Sequence, residues 1–448
     1  MADSIIIRIG GFHNEGVKIG DIAMTNSIGK MKVAVLFTLL LATIVLGQIT
    51  SNSGFATTDC EPADFGKISQ TYTDHAAISI EGNANFLSQA TAESWAGTGL
   101  EGNPIVIEGY RITDSTTEGI KIWNVDLHWA VRDCLIEGGG PSYACGFSID
   151  NCSNGEFSNN IIQNRDVGIQ AYEGTYNCSF TDNQILTNQD TAFKVLSGMG
   201  NCIMARNNFS GNVGNNFWIT GGFNDSHITD NTIKGGQNGI RVTVCTRSSI
   251  TGNTVSDCGL DALVFPLSIG VIITDNIVRN TTGCGIMISG SLAEIDFNTV
   301  INSTVSGIYI ATGDDGVVSN NLVVNSSEYG LKLSRTTENT SVTENSFIDN
   351  VGVTSQVLDD GEDNDISYNH YSDWVTPDED TNGIVDLAYS LDGDSTNSDQ
   401  YPIVDSIGTI PTTTTTTGGE LQLDPLLAAG IGIVAVVLVV VVFLMKRR

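Results

Sequence analysis

At 448 residues, with 49 glycines, only 8 prolines and 16% charged residues, the chain has a turn-rich β composition. Length by itself fixes no domain count, because a solenoid grows coil by coil. A formal net charge of −31 argues against nucleic acid or anionic lipid as the partner of the whole surface, since long-range repulsion opposes the encounter.

Residues 1–30 carry neither signal character nor β pattern and read as a misassigned start ahead of Met31. Met31-Lys32 leads into the apolar run Val33 to Leu46, the length of a signal-peptide core, and Gly54-Phe55-Ala56 supplies the small residues a signal peptidase reads. Residues 31–56 are therefore expected to be a signal peptide, with the mature chain starting near Thr57. No lipobox precedes Cys60, so no lipid anchor is expected there. An N-terminal cap is expected over 57–106.

From 107 to 371 the sequence repeats every 22 to 26 residues on the template apolar-x-x-Asn-x-apolar. The Asn recurs at Asn160, Asn183, Asn207, Asn231, Asn253, Asn276, Asn298, Asn321, Asn345 and Asn369, and Tyr110 and Cys134 hold its place upstream, giving twelve coils. Eight or nine residues later comes a second short motif, Gly-apolar-x-apolar, as in Gly168-Ile169-Gln170-Ala171 and Gly239-Ile240-Arg241-Val242. Short period-two strands separated by turns, with no long 3.6-period stretch, predict an all-β parallel β-helix of about three strands per coil. Twelve coils at about 4.8 Å each make a rod roughly 55 Å long. Asn suits a tight corner because it tolerates left-handed dihedrals and its amide can bond the Asn of the next coil, so this column is expected to be structural.

A C-terminal cap is expected over 372–410, then a Thr-rich stalk over 411–425. Leu426 to Met445 is an uninterrupted apolar run, long enough to span a bilayer as a helix, and Lys446-Arg447-Arg448 follows at once. The basic end stays in the cytoplasm, which makes this a single-pass cell-membrane protein with an extracellular ectodomain. Eight N-x-S/T sequons agree with export: Asn151, Asn177, Asn208, Asn224, Asn280, Asn302, Asn325 and Asn339. Nine cysteines is an odd number, so at least one is free or pairs with another molecule. Cys178 and Cys202 fall at matching places in successive coils and are either a disulfide or a stacked pair of thiols.

The entry His75-Ala-Ala-Ile-Ser-Ile-Glu-Gly-Asn83 with Asn103-Pro-Ile-Val-Ile-Glu-Gly-Tyr110, the N-x-I coils, and the exit Tyr368-Asn-His-Tyr-Ser-Asp-Trp374 leading to Asp378…Asp386 and Tyr401-Pro402 resemble the NosD-type right-handed β-helix proteins, also grouped as carbohydrate-binding proteins and sugar hydrolases. The resemblance covers about residues 75 to 403. It implies a right-handed parallel β-helix; it does not single out a chemistry, because that fold hosts lyases, hydrolases, adhesins and metal-delivery proteins.

Two constellations could carry function. In the second strand of each coil, alternation points the middle residue outward, giving a column of Lys121, Ser148, Gln170, Lys194, Trp218, Arg241, Val264, Met287, Tyr309 and Lys332. Four of the ten are basic and none is acidic. Cations interleaved with aromatics suit a long glycan, in particular an anionic one, with Lys121, Gln170, Lys194, Trp218, Arg241, Tyr309 and Lys332 as the contacts. The plain alternative is a solvated β-face. Near the exit, Asp378, Asp380, Asn382, the Ile384 carbonyl and Asp386, around Gly383, match most positions of a calcium loop, although Tyr389 stands where a bidentate Glu would close an EF-hand. The alternative there is an acidic surface loop. For catalysis, Asp314-Asp315 is the nearest acid pair, and a turn explains Gly-Asp-Asp-Gly as well; the five histidines show no metal spacing.

The first expectation is a non-catalytic surface β-helix that binds a glycan or a neighbouring envelope component. A polysaccharide lyase or glycoside hydrolase on the same scaffold is the alternative, and a structural stalk or adhesin the third.

Overall fold

The computed structural model describes residues 71–408 apart from 114–117, 139–143, 395–396 and 407. The signal segment, residues 1–30, Cys60, the Thr-rich stalk, the apolar run 426–445 and the basic tail lie outside the described residues. Among those described, no helix is long and apolar enough to cross a membrane.

Each coil contributes one short strand to each of three parallel sheets. In one coil these are Gly155–Ser158, Ile161–Gln163 and Val167–Ala171. We call the sheet that receives Ile161–Gln163 the first, that of Val167–Ala171 the second, and that of Gly155–Ser158 the third. The first holds thirteen strands in sequence order and the third twelve, so the described chain winds through eleven to twelve turns. Every strand-to-strand pairing within the three sheets is parallel; the antiparallel pair Tyr389–Ser390 with Ser398–Asp399 belongs to the C-terminal end.

The apolar positions flanking each repeated Asn point inward. Ile162, Ile185, Phe209, Ile233 and Val255 are fully buried on the first sheet, as are Ile228, Ile250, Ile273 and Ile295 on the third. Aromatics stack along the axis in the early coils, with Phe147 4.3 Å from Phe157 and Phe193 5.5 Å from Phe217 between ring centres. Where the second sheet begins, the repeated Gly has a steric cause: a methyl on Gly307 would lie 2.2 Å from the Val323 side chain of the next coil.

The Asn column is a continuous hydrogen-bonded ladder. The Oδ1 of Asn253 accepts from the main-chain N (3.0 Å) and the Nδ2 (2.9 Å) of Asn231, while its own Nδ2 donates to the Ile228 carbonyl (2.9 Å) and to Asn276 Oδ1 (3.0 Å). The same pattern runs from Asn160 to Asn369. One part of the expectation is corrected: the left-handed residue is not the ladder Asn but the one before it. Asn159, Asp182, Arg206, Asp230, Asp275, Phe297, Asn320, Glu344 and Tyr368 all have φ between 53° and 59°. That residue turns the corner, which leaves the following Asn side chain free to point inward and bond along the axis.

The corner between second and third sheets carries a shorter ladder of the same logic. Ser226 Oγ accepts from the Cys202 amide (3.0 Å), and Ser248 Oγ from the Ser226 amide (3.1 Å).

Both ends are closed. Helix α1 (Asn83–Glu93) interrupts the first coil between Ile78–Glu81 and Ile105–Glu108, burying Phe86 and Ala90, so regular coiling begins inside the segment expected to be a cap. At the other end Tyr389 stacks on Tyr371 at 3.7 Å, and the buried Asp399 accepts from the main-chain N of Asn369 (2.9 Å) and from its Nδ2 (3.3 Å). A carboxylate can only accept, so it ends a ladder whose last member has only donors left.

Candidate glycan-binding face

The second sheet sets all ten residues of the predicted column in one line, though not all of them are exposed. Lys121 pairs with Ser148, Ser148 with Gln170, Gln170 with Lys194, Lys194 with Trp218 and Trp218 with Arg241. The line continues through Val264, Met287, Tyr309 and Lys332. Ser148, Gln170 and Val264 are buried, and the others are partly exposed.

Three of the four cations turn onto an aromatic neighbour. The Lys121 ammonium lies 3.4 Å from the centre of the Trp123 ring, Lys194 4.9 Å from Trp218, and Lys332 5.4 Å from Tyr309. Two of them also meet an acid four residues earlier: Lys194 Nζ is 3.4 Å from Asp190 Oδ2, and Lys332 Nζ is 3.6 Å from Glu328 Oε2. Trp123 donates its indole N–H to Ser148 Oγ at 3.2 Å and meets Tyr172 edge-on at 5.8 Å, so the early end of the line is a small aromatic patch. The Arg241 side chain makes no ion pair or hydrogen bond among the described residues.

The arrangement can present hydrogen-bonding, cationic and stacking groups at one-coil intervals along a straight face. Acid–base chemistry needs more. Asp314 and Asp315 lie at the corner between second and third sheets, where Asp315 is left-handed (φ 56°) and its amide bonds the Glu338 carbonyl, which is a turn's work. Among the described residues no group of three or more His, Cys, Asp or Glu side chains gathers as a metal site would.

Over residues 76–233 and 223–371 the sequence matches the right handed beta helix region family. The chain belongs to that family. Among solved structures, this β-helix is similar to the catalytic unit of a GH87 α-1,3-glucanase from Streptomyces thermodiastaticus, at 12% identity and a TM-score of 0.41, over 66% of this chain and 69% of that one. It is similar to the Dettilon tailspike protein at 14% identity and a TM-score of 0.45, over 64% of this chain and 61% of the tailspike. A mannuronic-acid-specific polysaccharide family 6 lyase from human gut microbiota is matched at 14% identity and a TM-score of 0.38, over 61% and 76% respectively. Likenesses this distant carry no statement about chemistry. No curated protein matches the sequence.

Elsewhere on the β-helix, the predicted calcium loop folds back on itself. Asp378 Oδ1 and Asp380 Oδ1 accept from the Asn382 amide (3.1 and 3.2 Å), Asn382 Oδ1 accepts from the Ile384 amide (2.8 Å), and Asp386 Oδ2 from the Glu379 amide (2.7 Å). Four of the loop's side-chain oxygens thus accept from its own amides, the bonding of an acidic turn.

All eight described cysteines are free and buried, so Cys178 and Cys202 are stacked thiols rather than a disulfide. Burial pushes Cys145, Cys245 and Cys258 up to about 12, and Cys134, Cys152 and Cys284 to about 11. These thiols are inert packing groups, not nucleophiles. Three of the sequons, Asn280, Asn302 and Asn325, form an exposed ladder on successive coils: Asn302 Nδ2 donates to Asn280 Oδ1 (3.0 Å) and Asn325 Nδ2 to Asn302 Oδ1 (2.9 Å). Their place at left-handed corner positions accounts for their recurrence without reference to glycosylation.

Two of the features that sequence reasoning missed belong to the hydrogen-bonded ladders. The Ser226 and Ser248 rungs stand five residues before the ladder Asn, where the column reads Cys178, Cys202, Ser226 and Ser248, all small and polarisable; that signal was legible. Asp399 had no signal, because its role depends on a chain return of thirty residues.

Proposed function

We propose that this β-helix is a non-catalytic glycan-binding protein whose second-sheet face is the binding surface. The observation that carries the reading is the partly exposed run Lys194, Trp218 and Arg241 on three successive coils, next to which the expected contact Gln170 is buried. Coils repeat at about 4.8 Å, close to the length of one sugar residue in a linear glycan, so a chain lying along the rod meets one side chain per sugar. Trp218 offers a stacking face, and beside it Arg241 offers a cation within reach of hydroxyls and acids. Bringing the apolar run 426–445 into the same account, we further propose that the rod is held at the outer face of the cell membrane with its C-terminus in the cytoplasm.

The test incubates the full-length chain with a panel of neutral and acidic polysaccharides, with and without calcium, and scores retention and new chain ends together. Retention without cleavage, lost in Trp218→Ala, is the expected result. New chain ends would replace the reading with a lyase or hydrolase, and no retention on any glycan would leave a structural rod.

A further inference from the structure

Resting on the glycan reading above, the geometry points to a narrower ligand class than four basic residues in a line suggest. Lys194 is not available as a free charge: its side chain is only 14% exposed, lies beside Asp190 and faces the Trp218 ring. Lys332 is in the same position between Glu328 and Tyr309. The ammonium of Lys121 is drawn onto Trp123 of its own strand. Arg241 differs. Arg206 and Arg247 on this rod are each clasped to an acid one coil away, Arg206 to Asp182 (2.8 and 2.7 Å) and Arg247 to Asp225 (2.9 and 2.7 Å), and the buried Arg165 donates to the Gly138 and Cys145 carbonyls. Arg247 lies on the same strand-turn as Arg241, so the fold builds such clasps in this coil, yet the Arg241 guanidinium is left without one. On its far side the line is apolar for two coils, at Val264 and Met287.

We infer that the face takes a sparsely acidic glycan, with one carboxylate or sulfate held by Arg241 next to a sugar stacked on Trp218, and neutral sugars on the coils to either side. A polyuronate carrying an acid on every residue would set successive charges against Asp190, against the Val264 and Met287 coils, and against Glu328. At Asp190 and Glu328 the only cation is one already paired with that acid, and at Val264 and Met287 there is none, so each placement desolvates or repels an anion without an unpaired cation to offset it, in a chain of net charge −31. A chain whose acids recur at wide intervals avoids all of them, and a bidentate contact from a planar guanidinium suits a single carboxylate or sulfate.

The full-length chain is tested for affinity against three probes: a neutral glucan, gellan, whose carboxylates recur once per repeat unit, and polygalacturonate, which bears one on every residue. Gellan is expected to bind tightest and polygalacturonate weakest. Arg241→Gln should weaken gellan about tenfold or more, the loss of one charged hydrogen-bonded contact, and weaken the neutral glucan by much less. Asp190→Asn, which releases Lys194, should strengthen polygalacturonate. Far-UV circular dichroism of each variant checks that the coils persist. If polygalacturonate binds tightest, or if Arg241→Gln weakens the neutral glucan as much as gellan, the inference is overturned while the glycan reading stands. If no probe binds, the glycan reading itself fails.

Discussion

Replacing Asn253 by Ala removes one rung from the middle of the ladder and leaves its neighbours in place. Two buried main-chain groups lose their partner: the Asn231 N–H, bonded to Asn253 Oδ1 at 3.0 Å, and the Ile228 carbonyl, bonded to Asn253 Nδ2 at 2.9 Å. Asn276 Oδ1 keeps the Asn253 main-chain N–H at 2.9 Å, and Asn231 Nδ2 keeps the Met204 carbonyl at 2.9 Å, so those groups are not stranded. A buried polar group without a partner costs about 1–3 kcal/mol, which makes the substitution destabilising by about 2–6 kcal/mol. Asn253→Asp is the sharper probe. It keeps the acceptor for Asn231 but turns a second oxygen toward the Ile228 carbonyl and Asn276 Oδ1, and it buries a charge at a fully enclosed position. The Asp variant should therefore be less stable than the Ala variant near neutral pH. Burial raises a carboxyl's folded-state pKa, so the Asp variant should regain stability as the pH falls through that raised value and the proton restores a donor. Urea unfolding followed by far-UV circular dichroism measures both. A loss under about 1 kcal/mol for Ala, or an Asp variant as stable as the parent at neutral pH, would refute the claim that the ladder is a satisfied, water-excluded network.

Asp399 tests the same physics at the ladder's end. Burial holds its carboxyl above the ordinary value, so its contribution is fully present below the unfolded pKa and is lost as the pH rises through the folded one; the melting temperature of the parent relative to Asp399→Asn should rise from about pH 7 to about pH 4. The eight buried thiols should resist an aromatic disulfide reagent at mildly alkaline pH and react together once the chain is denatured, and recovery of two thiols fewer would show that Cys178 and Cys202 are joined. For the loop from Asp378 to Asp386, calcium is expected to raise the melting temperature of the parent and not of Asp380→Ala; equal melting curves with calcium and with chelator would mark the loop as an acidic turn.

The coil, its three strands and the outward column were legible because each rests on a period that side-chain alternation cannot hide. Ile228-x-x-Asn231-x-Ile233 fixes which residues enter the core, and once that register is set Trp218 must stand beside Lys194 and Arg241. What was not legible depended on contacts between coils. The left-handed corner position is mostly Asn, Asp or Gly, as at Asn159, Asp182, Asp230, Gly252, Asp275 and Asn320, which tolerate that conformation, but Arg206, Phe297, Glu344 and Tyr368 interrupt the pattern, and there the ladder behind the corner imposes the conformation against the residue's own preference. The pairing of Lys194 with Asp190 also escaped notice, and it changes the meaning of the column: a count of basic residues overstated the charge the face can offer. Helix α1 was missed since its only buried side chains, Phe86 and Ala90, make too narrow a stripe to declare a helix.

The position of Asp399 makes the length of this molecule a matter of counting. Every rung between Asn160 and Asn369 both receives and passes on the same bond, so any interior coil of 22 to 24 residues could be duplicated or deleted without altering what its neighbours require. Such an edit would move the two ends together or apart by one strand spacing, about 4.8 Å, and would leave both closures intact. Relatives built on the same rungs would then differ in reach more readily than in shape, like rulers cut from one stock.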